Sequence, residues 1–165
     1  MSEPFSESLQ STVSPAERYE RGLVLKNAGL YKSAIDQFEL AKVDPALTLK
    51  SYAQIGLCYK IAGRYEDAVA AFQKALSASS GSSKETVQIL YVLGRTLEAL
   101  GRVEDTLECY RWIRREDPGY RDVAGRIERL SSRRPDSAGA KSRTEESTWT
   151  GSVLKSWQGL LGAPK

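Results

Sequence analysis

The chain has 165 residues, of which 41% are apolar and 27% charged, enough for one domain with a modest hydrophobic core. Its net charge of +3 is too small to require a nucleic acid or an anionic membrane as partner. Histidine is absent, which removes the commonest general acid–base group and the commonest metal ligand. We therefore expect no catalytic residues, no metal and no cofactor.

The N-terminal segment, residues 1–13, carries two acids, no base and no apolar run. It does not resemble a secretory leader, and we expect it to be disordered. Nowhere does the chain reach the roughly 18 consecutive apolar residues that a membrane-spanning helix requires. Cys58 and Cys109 stand on separate segments without a CxxC spacing, which argues against a zinc site or a redox dithiol. Two buried thiols and a cytoplasmic location are predicted.

Glycine, small and aromatic residues recur at fixed intervals between residues 15 and 118. Every register has the same interval from its first member to its second, and every register has the same, slightly longer interval from its second member to its third. The extra residues fall in a small, polar stretch between Leu76 and Glu85, which predicts an inserted loop. Three internal repeats are therefore predicted. The four registers are Gly22, Gly56 and Gly94; Gly29, Gly63 and Gly101; Ala34, Ala68 and Thr106; and Phe38, Phe72 and Tyr110.

Each repeat carries two helical stripes separated by a glycine. In the second repeat Tyr52, Ile55, Gly56 and Tyr59 follow one helical face, and Gly63 then ends the run before a second stripe begins. This pattern predicts an antiparallel helix hairpin. The first glycine of each repeat is expected to let the two helices approach closely, with an aromatic ring filling the space beside it.

The repeats resemble those of the tetratricopeptide repeat family, whose pattern is W-x2-L-G-x2-Y…A-x3-F…P in a unit of about 34 residues. The second repeat matches it almost throughout, with Tyr52, Gly56 and Tyr59 followed by Ala68 and Phe72. The first repeat is looser and has arginine at two apolar registers, as expected of a terminal repeat. The resemblance implies an all-α fold, a right-handed superhelix of antiparallel hairpins. Its concave face, lined by the first helix of each hairpin, would bind peptides.

Helix start and stop signals set the bounds of the repeats. Capping-box patterns at 14–17 and 82–85 predict helix starts, and the Asp-Pro pairs at 44–45 and 117–118 predict turns. An apolar stripe after Pro118 predicts the solvating helix that this family usually has. The predicted repeat domain spans 14–130, with repeats at about 15–45, 49–78 and 87–118 and a capping helix at 119–130.

The predicted groove face of each first helix lies about 150–180° from its core stripe. It mixes apolar or aromatic residues with positive charge. This face predicts a non-enzymatic adaptor or scaffold, such as an assembly, secretion or motility accessory protein, whose protein or peptide partner has apolar anchors and some acidic character. The alternative is that these residues pack against neighbouring repeats. The predicted groove residues are Tyr19, Leu23, Lys26, Lys50, Gln54, Leu57, Lys60, Ile61, Gln88, Tyr91, Val92 and Arg95.

One subtype of the family binds the acidic C-termini of heat-shock chaperones with a clamp of lysines and asparagines on this face. In this chain the corresponding registers hold Tyr19, Leu23, Gln54, Gln88 and Val92. The clamp is absent, so a co-chaperone of that kind is not expected.

Arginines crowd the end of the repeat region, with eight between Arg111 and Arg134 against four acids. This composition leaves open a nucleic-acid-associated protein that uses the arginine-rich capping helix. A solvated helix with i, i+4 pairs such as Asp122–Arg126 explains the same residues. Because no nucleic-acid motif or aromatic interleaving accompanies the arginines, we expect no nucleic-acid partner.

Two further segments follow the capping helix. Residues 131–148 are rich in Ser, Arg, Gly, Pro and Glu, which predicts a disordered linker. Residues 149–162, the tail segment, place two tryptophans on one helical face. Packing on the chain's own last helix, insertion into a groove of a partner or of this chain, and weak contact with a membrane surface remain open. The tail face consists of Trp149, Val153, Trp157, Leu160 and Leu161.

Overall fold

The computed structural model describes residues 13–78 and 81–133, which form seven α-helices and no strand within those ranges. The all-α fold is confirmed. The chain divides between Gly81 and Ser82 into two compact units, unit 1 and unit 2. The helices are α1 (Pro15–Asn27), α2 (Tyr31–Ala41), α3 (Thr48–Ile61) and α4 (Tyr65–Ser77) in unit 1, and α5 (Ser83–Ala99), α6 (Val103–Glu116) and α7 (Val123–Ser132) in unit 2.

Several predictions fall on residues outside the described ranges: nearly all of the N-terminal segment and of the linker, and the tail segment with Trp149, Val153, Trp157, Leu160 and Leu161. Among the helices that are described, none has the length and apolar character needed to cross a membrane.

The three hairpins, α1–α2, α3–α4 and α5–α6, close through the same turn. Gly29, Gly63 and Gly101 have φ values of 79°, 78° and 73°, a left-handed conformation that glycine adopts without steric cost. The N–H of the residue after each glycine donates to the carbonyl five residues earlier at 2.8–2.9 Å, as in the Schellman motif. The spacing seen in the sequence is therefore a repeat of backbone geometry.

The first glycine of each repeat makes room for an aromatic ring from the facing helix. A Cβ atom at Gly56 would lie 2.6 Å from a ring carbon of Phe72, and one at Gly94 would lie 2.5 Å from Tyr110. The first hairpin repeats this arrangement. Real Cβ atoms do not approach so closely, and the rings are fully buried, so they have little freedom to move aside. The predicted steric role of these glycines is confirmed.

Unit 1 buries its core between its two hairpins. The Cys58 thiol lies within this core, where desolvation raises its pKa although the charge of nearby Lys26 lowers it. The protonated thiol is therefore a packing group. In unit 2, burial likewise raises the pKa of the Cys109 thiol. The buried members of the unit 1 core are Ala34, Phe38, Ile55, Cys58 and Ala71.

The first helix of unit 2 is longer than its counterparts in unit 1. α5 begins at Ser83, before the repeat predicted to start at 87. The reason is a complete capping box: the Glu85 N–H donates to Ser82 Oγ at 3.2 Å and the Ser82 N–H donates to the Glu85 carboxylate at 3.0 Å. This cap supports an additional turn ahead of the repeat proper.

The last helix begins later and ends later than predicted. α7 starts at Val123 rather than at 119, because the Asp117 carboxylate accepts the Gly119 N–H in a turn and Arg121 is left-handed, with a φ of 44°. It extends to Ser132, into the stretch predicted as linker.

The register of α7 continues the repeat. Three residues of α7 are buried, and each lies one repeat length after a buried residue of α5. α7 thus occupies the place of the first helix of a further repeat, without a second helix after it among the described residues. The three pairs are Ile89 and Val123, Leu93 and Ile127, and Thr96 and Leu130.

Candidate partner-binding site

In unit 1 the predicted groove residues lie on α1 and α3, and most are accessible. None of them is fully buried: six are half-buried, Lys50 is exposed, and 57% of the Ile61 side chain is exposed. The half-buried members are Tyr19, Leu23 and Lys26 on α1 and Gln54, Leu57 and Lys60 on α3.

Gln54 joins α1 to α3 at this face. The Lys26 ammonium donates to Gln54 Oε1 at 2.6 Å, and Gln54 Nε2 donates to the Tyr19 hydroxyl at 3.4 Å. The Tyr19 ring packs edge-on against Phe38 with 5.4 Å between centroids. Burial raises the pKa of the Tyr19 hydroxyl, so it stays protonated and keeps its own donor for a further acceptor.

The charge of Lys26 is not neutralised by this contact, since Gln54 is an amide. Among the described residues Lys26 forms no ion pair. Leu57 on α3 is half-buried, and Leu23 on α1 is half-buried with part of its side chain packed against the unit 1 core. Unit 1 therefore presents positive charge beside partly exposed apolar surface, a combination that suits an acidic, apolar segment.

In unit 2 the predicted groove residues lie on α5, and here the expectation of an open face fails for Tyr91. Its side chain is only 8% exposed. The Tyr91 hydroxyl donates to the Asp122 carboxylate at 2.9 Å, and its ring packs against Tyr120 and Tyr110 at 5.7 and 6.4 Å between centroids. The Arg121 guanidinium lies 4.9 Å from the centroid of the same ring. Tyr91 is a packing residue because the connection before α7 covers it.

The other predicted residues of α5 vary in exposure. Gln88 is exposed and Val92 is half-buried. Arg95 is half-buried, and its guanidinium lies 3.5 Å from the Tyr91 hydroxyl as a long hydrogen-bond donor. The surface that unit 2 leaves for a partner on α5 is therefore smaller than predicted.

The Lys26–Gln54–Tyr19 contacts form a polar bridge between α1 and α3, the unit 1 bridge. A second polar bridge, the unit 2 bridge, joins α5, α6 and α7. Arg126 donates to Glu98 at 2.9 Å and to Asp122 at 2.7 Å, and the Tyr110 hydroxyl also donates to Glu98, at 3.0 Å. Burial, and then the charge of Glu98, raise the pKa of Tyr110. Desolvation raises the pKa of Asp122, but the hydrogen bond from Tyr91 and the charge of Arg126 outweigh it and bring the pKa below its usual value.

These two bridges occupy equivalent positions. Glu98 lies two repeats after Lys26, and Arg126 lies two repeats after Gln54. The same place in the fold thus holds a lysine and an amide in unit 1, and a carboxylate and a guanidinium in unit 2. The unit 2 bridge is an ion pair, whereas the unit 1 bridge keeps its positive charge.

The bridge in unit 2 was not predicted. Asp122 and Arg126 were expected to form an i, i+4 pair on a solvated helix, and they do pair, but both also bind residues of α5. These contacts could have been found by extending the repeat register beyond Pro118. In that register Arg126 is equivalent to Gln54 and Glu98 is equivalent to Lys26, so the two are expected to face each other.

Comparison with known proteins agrees with the hairpin geometry. Residues 46–115 match the family model described as Tetratricopeptide repeat. A solved structure described as the crystal structure of MamA is similar with a TM-score of 0.64 and 15% sequence identity, over 95% of this chain and 82% of that one. At that identity the likeness shows the fold alone. A search of curated proteins found no match. Residues 46–115 thus match the tetratricopeptide repeat family, and the three hairpins in one register have the helical-repeat fold of that solved structure.

Proposed function

We propose that this chain is a non-enzymatic adaptor whose unit 1 binds a partner segment on the shared face of α1 and α3. The repeat fold supports a protein-interaction role in general. The finer proposal concerns the site and the partner. Leu23, Leu57 and Ile61 would contact apolar anchors, and Lys26 and Lys50 would contact carboxylates.

The observation that carries the proposal is the charge left on Lys26. At the equivalent position of unit 2, Glu98 is neutralised by Arg126. In unit 1 the acceptor of the Lys26 ammonium is neutral. An ammonium already oriented by Gln54 loses less side-chain freedom when a carboxylate binds beside it, which favours an acidic partner.

Apolar surface beside this charge gives the partner its second property. The Ile61 side chain is more than half exposed at the end of α3, and Leu57 lies one turn before it. Apolar anchors dominate binding energies when they are desolvated, while exposed charges mainly steer association and fix orientation. Affinity should therefore depend on the leucines, and selectivity on the lysines.

Two peptide libraries test the proposal on the full chain by fluorescence anisotropy. Both have two fixed leucines three residues apart and otherwise differ only in that one carries glutamate where the other carries lysine. We expect the glutamate library to bind more tightly, with the preference falling as salt is raised. Equal binding of the two libraries would overturn the acidic partner.

Single substitutions then locate the site. Leu57→Glu should weaken binding about tenfold or more, corresponding to at least ~1.4 kcal/mol, and Gln54→Glu should weaken it by pairing with Lys26. Leu40→Glu, at an exposed leucine of α2, and Gln73→Glu on α4 are the matched controls and should leave binding unchanged. Equal losses in variants and controls would exclude the α1–α3 face.

A further inference from the structure

The outer face of α6 is covered, although the same face of the other hairpins is open. Arg64–Asp67 and Arg102–Asp105 are ion pairs at equivalent registers of the second and third hairpins, with N–O distances of 2.8 and 2.7 Å. In the second hairpin the Arg and Asp side chains are 61% and 47% exposed. In the third hairpin the corresponding values are 28% and 7%. Because the two ion pairs have the same spacing and nearly the same distance, the lower exposure of the pair in the third hairpin must come from the residues around it.

Trp112 shows the same contrast two helical turns further along α6. Its side chain is 3% exposed, whereas Leu40, at the equivalent register of α2, is 47% exposed and Lys74 of α4 is also exposed. Because Asp105 and Trp112 are two turns apart, they share one helical face. A stripe that faces solvent in the first two hairpins is therefore shielded in the third.

The packing of α7 does not account for this cover. α7 packs on α6 with the same registers that α3 uses on α2, since Val123, Ile127 and Leu130 correspond to three buried residues of α3. α3 leaves Leu40 exposed. A helix in the position of α7 is thus expected to leave Trp112 exposed as well.

We propose that the tail segment, residues 149–162 of the same chain, covers this outer stripe of α6. Its face of two tryptophans, a valine and two leucines suits the ring of Trp112. The tail segment has one charged residue, Lys155. The stripe carries the acids Glu104, Asp105 and Glu108, of which Asp105 is paired with Arg102. Aromatic side chains and a single lysine match an apolar stripe with an acidic edge.

The chain is long enough for this contact. The described residues end at Arg133, and the stretch 134–148 separates Arg133 from Trp149. A random-coil chain of that length would span about 20–24 Å on average and roughly 50 Å at full extension. α7 packs against α6, and packed helices lie about 8–10 Å apart, so the tail segment can reach α6 without strain.

This placement differs from the other interpretations of the tail. α6 is the second helix of its hairpin, whereas the candidate partner-binding face lies on first helices. A tail bound to α6 does not present its tryptophans to a membrane. It acts instead as an additional layer that protects unit 2.

The test follows Trp112 in the full chain. Replacing Trp149 and Trp157 by phenylalanine leaves Trp112 as the sole tryptophan among the three, and acrylamide quenching then reports its exposure. Val153→Asp, on the apolar tail face, should increase quenching several-fold. Gln158→Asp, which adds the same charge away from the predicted apolar face, should not.

Amide hydrogen exchange in the chain with all three tryptophans provides an independent measurement. Val153→Asp should accelerate exchange in residues 103–116 and leave α1 to α3 unchanged, with Gln158→Asp matching the parent. If Val153→Asp alters neither quenching nor exchange, something other than the tail covers Trp112 and the proposal is overturned. Protection that disappears on dilution would also overturn it, because the tail of a second copy would then be the cover.

Discussion

Unit 1 and unit 2 share the same repeat registers but differ in the polar contacts that the residues at those registers make. Tyr19 on α1 and Tyr91 on α5 lie at equivalent positions, and each ring packs against the aromatic residue of its own hairpin. In unit 1 the following helix brings Gln54, which accepts from a lysine and donates to the tyrosine. In unit 2 the following helix brings Asp122, which accepts from Tyr91.

A repeat fold thus preserves the positions at which side chains meet but not the charges on those side chains. Ring contacts and glycine turns recur because they are fixed by helix packing. The polar bridge between successive first helices is partly exposed, so its charges are free to vary. Where the bridge is an ion pair, as for Glu98 and Arg126, α7 is docked and the face is partly closed.

The largest effect is expected where the two units are alike. Gly56→Val in unit 1 and Gly94→Val in unit 2 would each force a side chain into a fully buried ring, whose carbon lies 2.5–2.6 Å from the position of Cβ. We expect each to cost roughly 3 kcal/mol of unfolding free energy, measured by urea unfolding, because overpacking of this kind has no room to relax.

Gly125→Ala on α7 is the control for that experiment. A Cβ at Gly125 meets nothing within 4 Å, and the residue is exposed in a helix. We expect a gain of up to about 1 kcal/mol from the lower chain entropy of alanine. A loss at Gly125 equal to that at Gly94 would show that backbone effects, not ring contacts, explain the glycines.

Much of the fold could be predicted because it depends on short-range signals. Gly29, Gly63 and Gly101 end helices by a conformation that only glycine adopts easily, and this is visible as spacing. The start of α7 could not be predicted, because the left-handed Arg121 is stabilised by its position over Tyr91 and Tyr120, which is a tertiary contact.

The registers of Tyr19 and Tyr91 on their helices were predictable, but the exposure of their side chains was not. The repeat register places Tyr19 on α1 and Tyr91 on α5 at equivalent positions. Which of them is covered depends on the residues brought by the next helix and its connection, such as Asp122. Extending the repeat register into α7 predicts which residues of α7 face α5, but it does not predict the hydrogen bonds between them.

Truncation of the two tyrosines should have a smaller effect on stability that differs between the units. Tyr91→Ala should destabilise by about 3 kcal/mol, since the ring is buried and its hydroxyl is bonded. Tyr19→Ala should cost about half as much, because Tyr19 is only half-buried. Urea unfolding gives both values. Equal losses would mean that unit 1 shields its tyrosine as unit 2 does, and that its face is not open.

The smallest expected change in unfolding free energy is that of removing the Asp122 carboxylate. Its dependence on pH distinguishes a loss of charge from a change in packing. Its pKa in the folded protein lies below the ordinary value of 3.8, so the unfolded chain binds more protons as acid is added. The stability that the carboxylate contributes is therefore present above that value and is lost as the pH falls through the lower, folded-state pKa.

Asp122→Asn should reduce the unfolding free energy by at most about 1 kcal/mol near pH 7, since the side chain is half exposed. The difference between the two proteins should shrink as the pH falls below about 3.8 and the native carboxylate is protonated as well. Asp36→Asn, at an exposed position on α2, is the matched control and should show no difference near pH 7. A difference at Asp122 that stays constant with pH would mean that the amide perturbs packing, and that the docking of α7 on α5 does not depend on the charge of the carboxylate.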